Sequence, residues 1–324
     1  MLLPVTHAET AALLDINRRS CVAKLAGLGL LGGALASSIG CAYRNIPGFQ
    51  FTPALFEVKL PEGSATTYLF GSVHAGLSRF YPLPSKIENC IAQSEILAVE
   101  VDMQVRLPEA TAMFRPYVRL DSNTSLSQII GEDQFTAMAR HFGWFTQEKA
   151  TYERYAPWFV AISLLSEDDR KMNLEKSIGL ESKLLTQAKK DNKHILELEQ
   201  VSEQVDAFVK GSLEEQKEQL LMRFEQVRKW DSTTQDLVDA WRLGDLNALD
   251  KIKGRNFGSK AKLLSLRERL FTERDQRMAS RLIAFMRESN KICFAAVGAL
   301  HLAGDDGLQY RLSELGAKVT RLAY

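Results

Sequence analysis

The feature that most constrains this chain is a strand ending that occurs twice, once near each end. In Tyr68-Leu69-Phe70-Gly71-Ser72-Val73-His74 an apolar run of strand character leads into glycine, two residues and histidine. In Phe294-Ala295-Ala296-Val297-Gly298-Ala299-Leu300-His301 the same order returns. Glycine lets a chain turn sharply off a strand end or brings backbone close to a ligand, and strand ends are where α/β architectures gather reactive side chains. One histidine in that setting is ordinarily structural. Two copies of the setting point to a joint site, which requires the two ends of the chain to share one sheet.

The remaining periodicities fill in that frame. Residues 55–60 alternate apolar and polar as a half-buried strand does, and Pro61-Glu62-Gly63-Ser64 is a turn signal, so 55–60 and 66–71 read as a hairpin. Residues 85–94 have helical spacing. Residues 96–102 (ILAVEVD) read as a strand whose period of two would set Glu100 and Asp102 on one face and Val99 and Val101 on the other. From about 105 to 285 the pattern is helical: an amphipathic stretch around Phe135–Phe142, an apolar one at 155–165, a helix at 179–190 leading to a short strand at 194–198, and charged stretches at 212–230 and 260–288 that read as solvated faces. A strand at 291–297, a helix at 306–315 ending near Gly316, and a strand at 317–322 close the chain. The expected fold class is α+β: a central mixed sheet built from strands of both chain ends, with a large helical middle segment forming a cleft wall.

Residues 1–41 read as an address. Arg18, Arg19 and Lys24 precede an apolar run at 25–39, the basic and apolar regions of a signal peptide. The run is short for a membrane span. Arg18-Arg19 resembles a twin-arginine signal, and Ser38-Ile39-Gly40-Cys41 resembles a bacterial lipobox, which would leave Cys41 lipidated and attached to a membrane; the rival is ordinary cleavage after Ala34-Leu35-Ala36. The domain expectation is therefore a signal peptide at 1–41 and one domain at 42–324, exported to the periplasm or cell envelope. Cys90 and Cys293 sit in apolar patterns, where cysteine is usually a small buried hydrophobe; a disulfide between them is not decided by sequence.

Function classes narrow by charge and by motif. Lys and Arg number 41 against 40 Asp and Glu, with no basic stripe for a nucleic acid. There is no Gly-x-Ser-x-Gly elbow, phosphate loop or dinucleotide fingerprint. His141 and His194 need only surface or core roles, and Trp144, Trp158, Trp230 and Trp241 read as packing aromatics. A divalent metal site needs imidazole and carboxylate ligands with a position open for water. His74 and His301 would supply nitrogens. Glu100 would supply the carboxylate, because a lone charge inside an apolar strand is costly. Asp102 could orient a ligand, or could be a cap or an ion pair.

Several blocks, in order, carry a resemblance: Leu69–His74, Pro82-Leu83-Pro84, Ala98-Val99-Glu100-Val101-Asp102, Gly179-Leu180-Glu181, Lys193–Glu199, Glu273-Arg274-Asp275-Gln276-Arg277-Met278, and Val297–Gly304 with Gly307-Leu308. Together they resemble the TraB/GumN family, which includes the Tiki proteases. Glu181 stands where the family usually has Asp, and Asp275 where it usually has Asn. The resemblance implies a sheet that sets the two Gly-x-x-His turns side by side below a helical cleft wall. Tiki-type members are described as metal-dependent proteases, whereas related erythromycin-esterase-like proteins have been argued to work without metal. The expectation is a hydrolase of a peptide or small-molecule substrate. His74, Glu100 and His301 would hold a divalent ion (manganese, cobalt or zinc) or its water, with Glu181 as second ligand or general base. Arg274 would stabilise the oxyanion, or else form a helix-surface ion pair. The alternatives are a metal-free esterase-like hydrolase and a non-catalytic envelope protein that binds a peptide.

Overall fold

The computed structural model describes residues 50–324, apart from 62, 64, 144–146, 172–173, 175–178, 230–232 and 258–260. The readings of residues 1–41, with Cys41, lie outside the described residues, as do Trp144 and Trp230.

Six strands form one mixed sheet: β1 (Leu55–Lys59), β2 (Thr67–Ser72), β3 (Ile96–Val99), β4 (His194–Glu197), β5 (Cys293–Gly298) and β6 (Lys318–Arg321), in the spatial order β4-β3-β5-β2-β1-β6. The expected hairpin is present, with Leu55 opposite Phe70 and Val58 opposite Thr67, and β6 pairs antiparallel on the outer side of β1. β2, β5, β3 and β4 run parallel. Strands from both chain ends thus share the sheet, and the fold is α+β.

Alternation along the strands feeds two apolar layers. Leu55, Phe70, Leu97, Val99, Phe294 and Ala296 face one layer, closed by side chains of the helices Ser85–Gln93, Leu180–Lys190, Thr233–Leu243 and Leu246–Phe257. Phe56, Val58, Leu69, Ile96, Ala98, Ala295 and Val297 face the other, against the helices Glu273–Glu288 and Leu308–Glu314. Successive strand residues point to opposite faces, so Cys90 in the first layer and Cys293 in the second are kept apart, and both are free thiols. The expected buried helix at 155–165 is Pro157–Lys171, which sends Trp158, Val160 and Leu164 into a separate helical core with Phe135 and Phe224. Among the described residues no helix is long and apolar enough to cross a membrane.

Two expectations shift. β3 stops at Val99, so Glu100 and Asp102 are not same-face strand residues. Asp102 instead caps the helix Met103–Val118, accepting from the Gln104 N–H at 3.1 Å, and pairs with Lys189 at 2.8 Å. Its role is cap and ion pair, not ligand support. The charged stretch at 260–288 is not a single solvated helix. It contains a π-helical turn at Glu268–Thr272 before the helix Glu273–Glu288, and Leu270, Phe271, Arg274, Asp275 and Met278 are all buried. Inserted π turns are frequent at functional sites.

Candidate active site

The register of the parallel strands builds the site. Gly71 pairs with Val297 and Ser72 with Gly298, while Val99 pairs with Ala296 on one side and Glu197 on the other. The carboxyl ends of four strands therefore lie side by side, and both Gly-x-x-His turns leave the sheet at the same edge. The turns also pack on each other: a Cβ on Gly71 would sit 3.1 Å from Leu302 Cδ1 and 3.2 Å from Ala299 Cα. Trp241, buried, donates from Nε1 to the Gly71 carbonyl at 2.8 Å.

Gly298 lies at the centre. A Cβ there would be 3.2 Å from Glu100 Oε1, 3.5 Å from His301 Cδ2 and 3.6 Å from His74 Nε2. A methyl there would crowd Glu100 Oε1 and stand in contact with both imidazoles, so the glycine keeps the point between the three functional side chains open. The Gly298 N–H donates to Glu100 Oε1 at 2.7 Å. Arg274 Nη2 donates to Glu100 Oε2 at 2.7 Å, and Gln204 Nε2 reaches the same oxygen at 3.3 Å. Burial opposes ionisation of Glu100. Arg274, His301, His74 and the Gly298 N–H outweigh it and hold the carboxyl down at about 2.

Each histidine is backed by a carboxylate. His74 Nδ1 lies 2.8 Å from Glu181 Oε2, and His301 Nδ1 lies 2.6 Å from Asp275 Oδ1. His301 Nε2 is 3.7 Å from Glu100 Oε1. Glu181 is in the first turn of Leu180–Lys190, and that turn is tied to the first Gly-x-x-His segment by the Leu180 N–H donating to the Val73 carbonyl at 3.1 Å. The Glu181 charge, with its hydrogen bond, pushes His74 up to about 9. Asp275 is wholly buried and its Oδ2 has no hydrogen-bond partner among the described residues; burial pushes its carboxyl up, while His301 and Lys253 pull it down. The Phe271 ring packs on His301 at 5.5 Å between centroids, and Lys253 Nζ, itself fully buried, stands 5.3 Å from the same ring.

His74, Glu100 and His301 are thus brought to one point, with Glu181 and Arg274 beside them. Glu181 stands behind His74 rather than over the floor. Arg274 is buried, so the surface ion pair is excluded. It grips Glu199 through Nε at 2.7 Å and Nη2 at 2.6 Å, holds Glu100, and donates from Nη1 to the Leu270 carbonyl at 3.2 Å. Those bonds leave one Nη1 hydrogen for anything in the cleft. Glu199, Gln204, Asp275 and Trp241 are site residues that sequence reasoning did not assign. Glu199 lies two residues past β4, its N–H donating to the Glu100 carbonyl at 2.9 Å, and Asp275 falls on the apolar face of its helix; both were signals in the pattern. His141, edge-on to Phe142 and Phe224, and His194, at the start of β4, are remote from the cleft lining.

The metal expectation meets a donor set already engaged. Glu100 receives the Gly298 N–H on one oxygen and Arg274 on the other, so a cation would have to share it with a guanidinium. Among the described residues no group of three or more His, Cys, Asp or Glu side chains is arranged to hold a metal ion. As arranged, these residues do not complete a metal site.

Above this floor opens a cleft of about 320 Å³, lined below by Ser72, His74, Glu100, Arg274, Gly298 and His301 and above by side chains of the helical middle segment. The helical segment does form the cleft wall.

The sequence profile of the TraB/PrgY/gumN family matches residues 54–321, from the first strand of the sheet to the last. The chain belongs to this family. Among curated relatives, it is 24% identical over 158 residues to the uncharacterized protein YbaP of Escherichia coli (strain K12), covering 49% of this chain and 57% of that protein. It is 23% identical over 299 residues to Metalloprotease TIKI2 of Xenopus tropicalis (78% of this chain, 57% of that one) and 22% identical over 312 residues to Metalloprotease TIKI2 of Danio rerio (82% and 60%). The chain thus spans little more than half the length of these relatives. No solved structure matches it.

Proposed function

We propose that this protein is a hydrolase that cleaves an amide or ester bond, in the first place a peptide bond. The observation that carries the reading is the convergence of His74 Nε2, His301 and Glu100 Oε1 on Gly298, with each imidazole held from behind by a carboxylate. Hydrolysis needs a group to take a proton from water, and a group to stabilise the oxyanion and protonate the leaving atom. The two histidines divide these tasks by their surroundings, as paired titratable groups in active sites do. His301, fixed by Asp275, accepts the water proton at Nε2. His74, kept protonated by Glu181, presents Nε2–H to the carbonyl oxygen and then to the leaving group. Glu100, held ionised by Arg274, orients the water and offsets the charge that develops on His301. One water is consumed, the C–N or C–O bond breaks, and the proton taken by His301 replaces the one given by His74.

The names of the TIKI2 relatives support a metal-dependent version, and so do the backing carboxylates, since metal-bound histidines almost always donate their other N–H to such partners. The test separates the two. Full-length protein is assayed on peptide amides and esters, with and without exhaustive chelation, and its bound metal is measured beside His74→Ala and His301→Ala. Loss of activity in both variants with activity surviving chelation is the expected result. Stoichiometric manganese, cobalt or zinc that disappears in both variants would move the reading to metal-assisted hydrolysis. Full biological function in the double variant would instead favour a peptide-binding protein. The activity belongs, in this proposal, to the periplasm or cell envelope, on the strength of the segment Arg18–Cys41; fractionation of cells expressing wild-type and Cys41→Ala protein checks the location and the lipid anchor.

A further inference from the structure

The catalytic groups account only for the floor of the cleft. Its walls bring together Ile162, Phe208, Met222, Leu237, Phe257 and Leu300. These come from five different helices and the turn after β5. None of the six is fully buried, unlike the core residues just beneath them. Apolar surface left open from so many separate elements, all facing one space, marks a binding surface rather than leftover core. Arg223, the charged member of the wall, is buried and donates to Gln226 Oε1 at 3.2 Å, and Gln226 in turn donates to Asn256 Oδ1 at 3.0 Å.

The size of the space limits what enters. A cavity of about 150 Å³ accepts one benzene, and ligand pockets begin at about 300 Å³. At about 320 Å³ the cleft has room for one bulky apolar group together with the bond being cut. The apolar wall is continuous with the floor at Leu300, which lies one residue before His301.

We infer that this wall is a substrate subsite, and that the substrate is an amide or ester whose carbonyl carries a bulky apolar group, aromatic or medium-chain aliphatic. The inference rests on the hydrolase reading for the reaction and on the wall alone for the apolar group. The carbonyl sits at Gly298 between the two imidazoles, the apolar group fills the space between Met222 and Leu237, and the leaving group points to solvent.

The experiment uses full-length protein and a series of p-nitrophenyl esters and p-nitroanilides with acetyl, butyryl, hexanoyl, octanoyl, palmitoyl and phenylacetyl groups. In parallel, acetate, octanoate and phenylacetate are titrated as binding probes by calorimetry. The expected result is kcat/KM rising about fourfold per added methylene until the cleft is full, then falling. Met222→Trp shifts that optimum to shorter groups; Leu237→Trp, on a separate helix, serves if the first variant melts early. Hydrolysis without preference for apolar groups would overturn the subsite and leave the hydrolase reading standing. Octanoate bound more tightly than acetate, with no ester or anilide cleaved, would support the subsite and overturn the hydrolase reading. Absence of both hydrolysis and apolar-probe binding would overturn both.

Discussion

Arg274 Nη2 lies 2.7 Å from Glu100 Oε2, joining the helix Glu273–Glu288 to the end of β3 beneath the cleft, and both side chains are buried. The same guanidinium takes Glu199 in a two-pronged grip. One cation is therefore shared by two buried carboxylates, and together with His301, His74 and the Gly298 N–H it allows Glu100 to remain ionised in the floor of the cleft.

Removing that cation should be severe. Arg274→Met leaves Glu100 and Glu199 facing each other out of water, and breaking a buried pair in this way costs about 3–5 kcal/mol. Arg274→Lys should recover only part of the loss, since a single ammonium cannot reproduce the fork. Urea denaturation at pH 7 measures both. A loss under about 1 kcal/mol for Arg274→Met would mean that the two carboxylates do not depend on this cation.

Gly298→Ala separates packing from chemistry. The backbone there (φ −53°, ψ 135°) suits alanine, and the new methyl meets its tightest neighbour at 3.2 Å. The protein should fold with a stability loss of about 1 kcal/mol or less, in the range of ordinary single substitutions. Its hydrolytic rate should fall at least tenfold, because the methyl occupies the point between His74, His301 and Glu100. Gly304→Ala is the contrast: with φ +83° and Asp250 Oδ1 at 2.6 Å from the new Cβ, it should lower the melting temperature instead. Thermal melting and kcat, measured on the same samples, distinguish the two.

His74 should titrate near 9 by NMR, and Glu181→Gln should return its midpoint toward 6.5, because the Glu181 charge is the largest cause of the shift. A raised histidine pKa stabilises the fold fully below its unfolded value of 6.5, and that contribution is lost as pH rises through about 9. The His74 side chain is 68% exposed, so solvent screening keeps the stability effect small and the titration itself is the measurement. The Glu100 carboxyl has the opposite sign: its contribution is present above 4.5 and is lost as pH falls through about 2. A midpoint unchanged in Glu181→Gln would remove Glu181 from its assigned part.

Asp275→Asn tests the second imidazole. Asparagine preserves the shape but removes the charge that holds His301 Nδ1–H and opposes the positive charge formed during reaction. Because Asn is the residue the family usually carries here and its amide oxygen still accepts from Nδ1–H, kcat should drop by about tenfold, the difference between a charge-assisted and a neutral hydrogen bond. KM should change little, because Asp275 is buried behind His301 and does not line the cleft. Steady-state kinetics reads the split; a change confined to KM would contradict the assignment.

Much of this was legible in the amino-acid order. Period-two stretches at 55–60 and 66–71, the apolar strands at 96–99 and 293–297, and the repeated Gly-x-x-His ending are local patterns, and local sterics and side-chain alternation decide them wherever the chain lies. They sufficed for the α+β class, for a sheet shared by both ends, and for His74, Glu100 and His301 as a group. What tertiary structure alone decided concerns pairings between residues far apart in the chain. Sequence cannot show that Arg274 turns inward to Glu100 and Glu199, because a charged residue on a helix is usually a solvated face, whereas here the residue just after the π turn is buried against two carboxylates. Nor can it show that Asp102 ends as a helix cap, that Glu181 stands behind His74 while Asp275 stands behind His301, or that Gly298 is the point on which the site closes. Charge placement depends on desolvation and on which partner comes within about 3 Å, and those are fixed only when the sheet register sets four strand ends side by side.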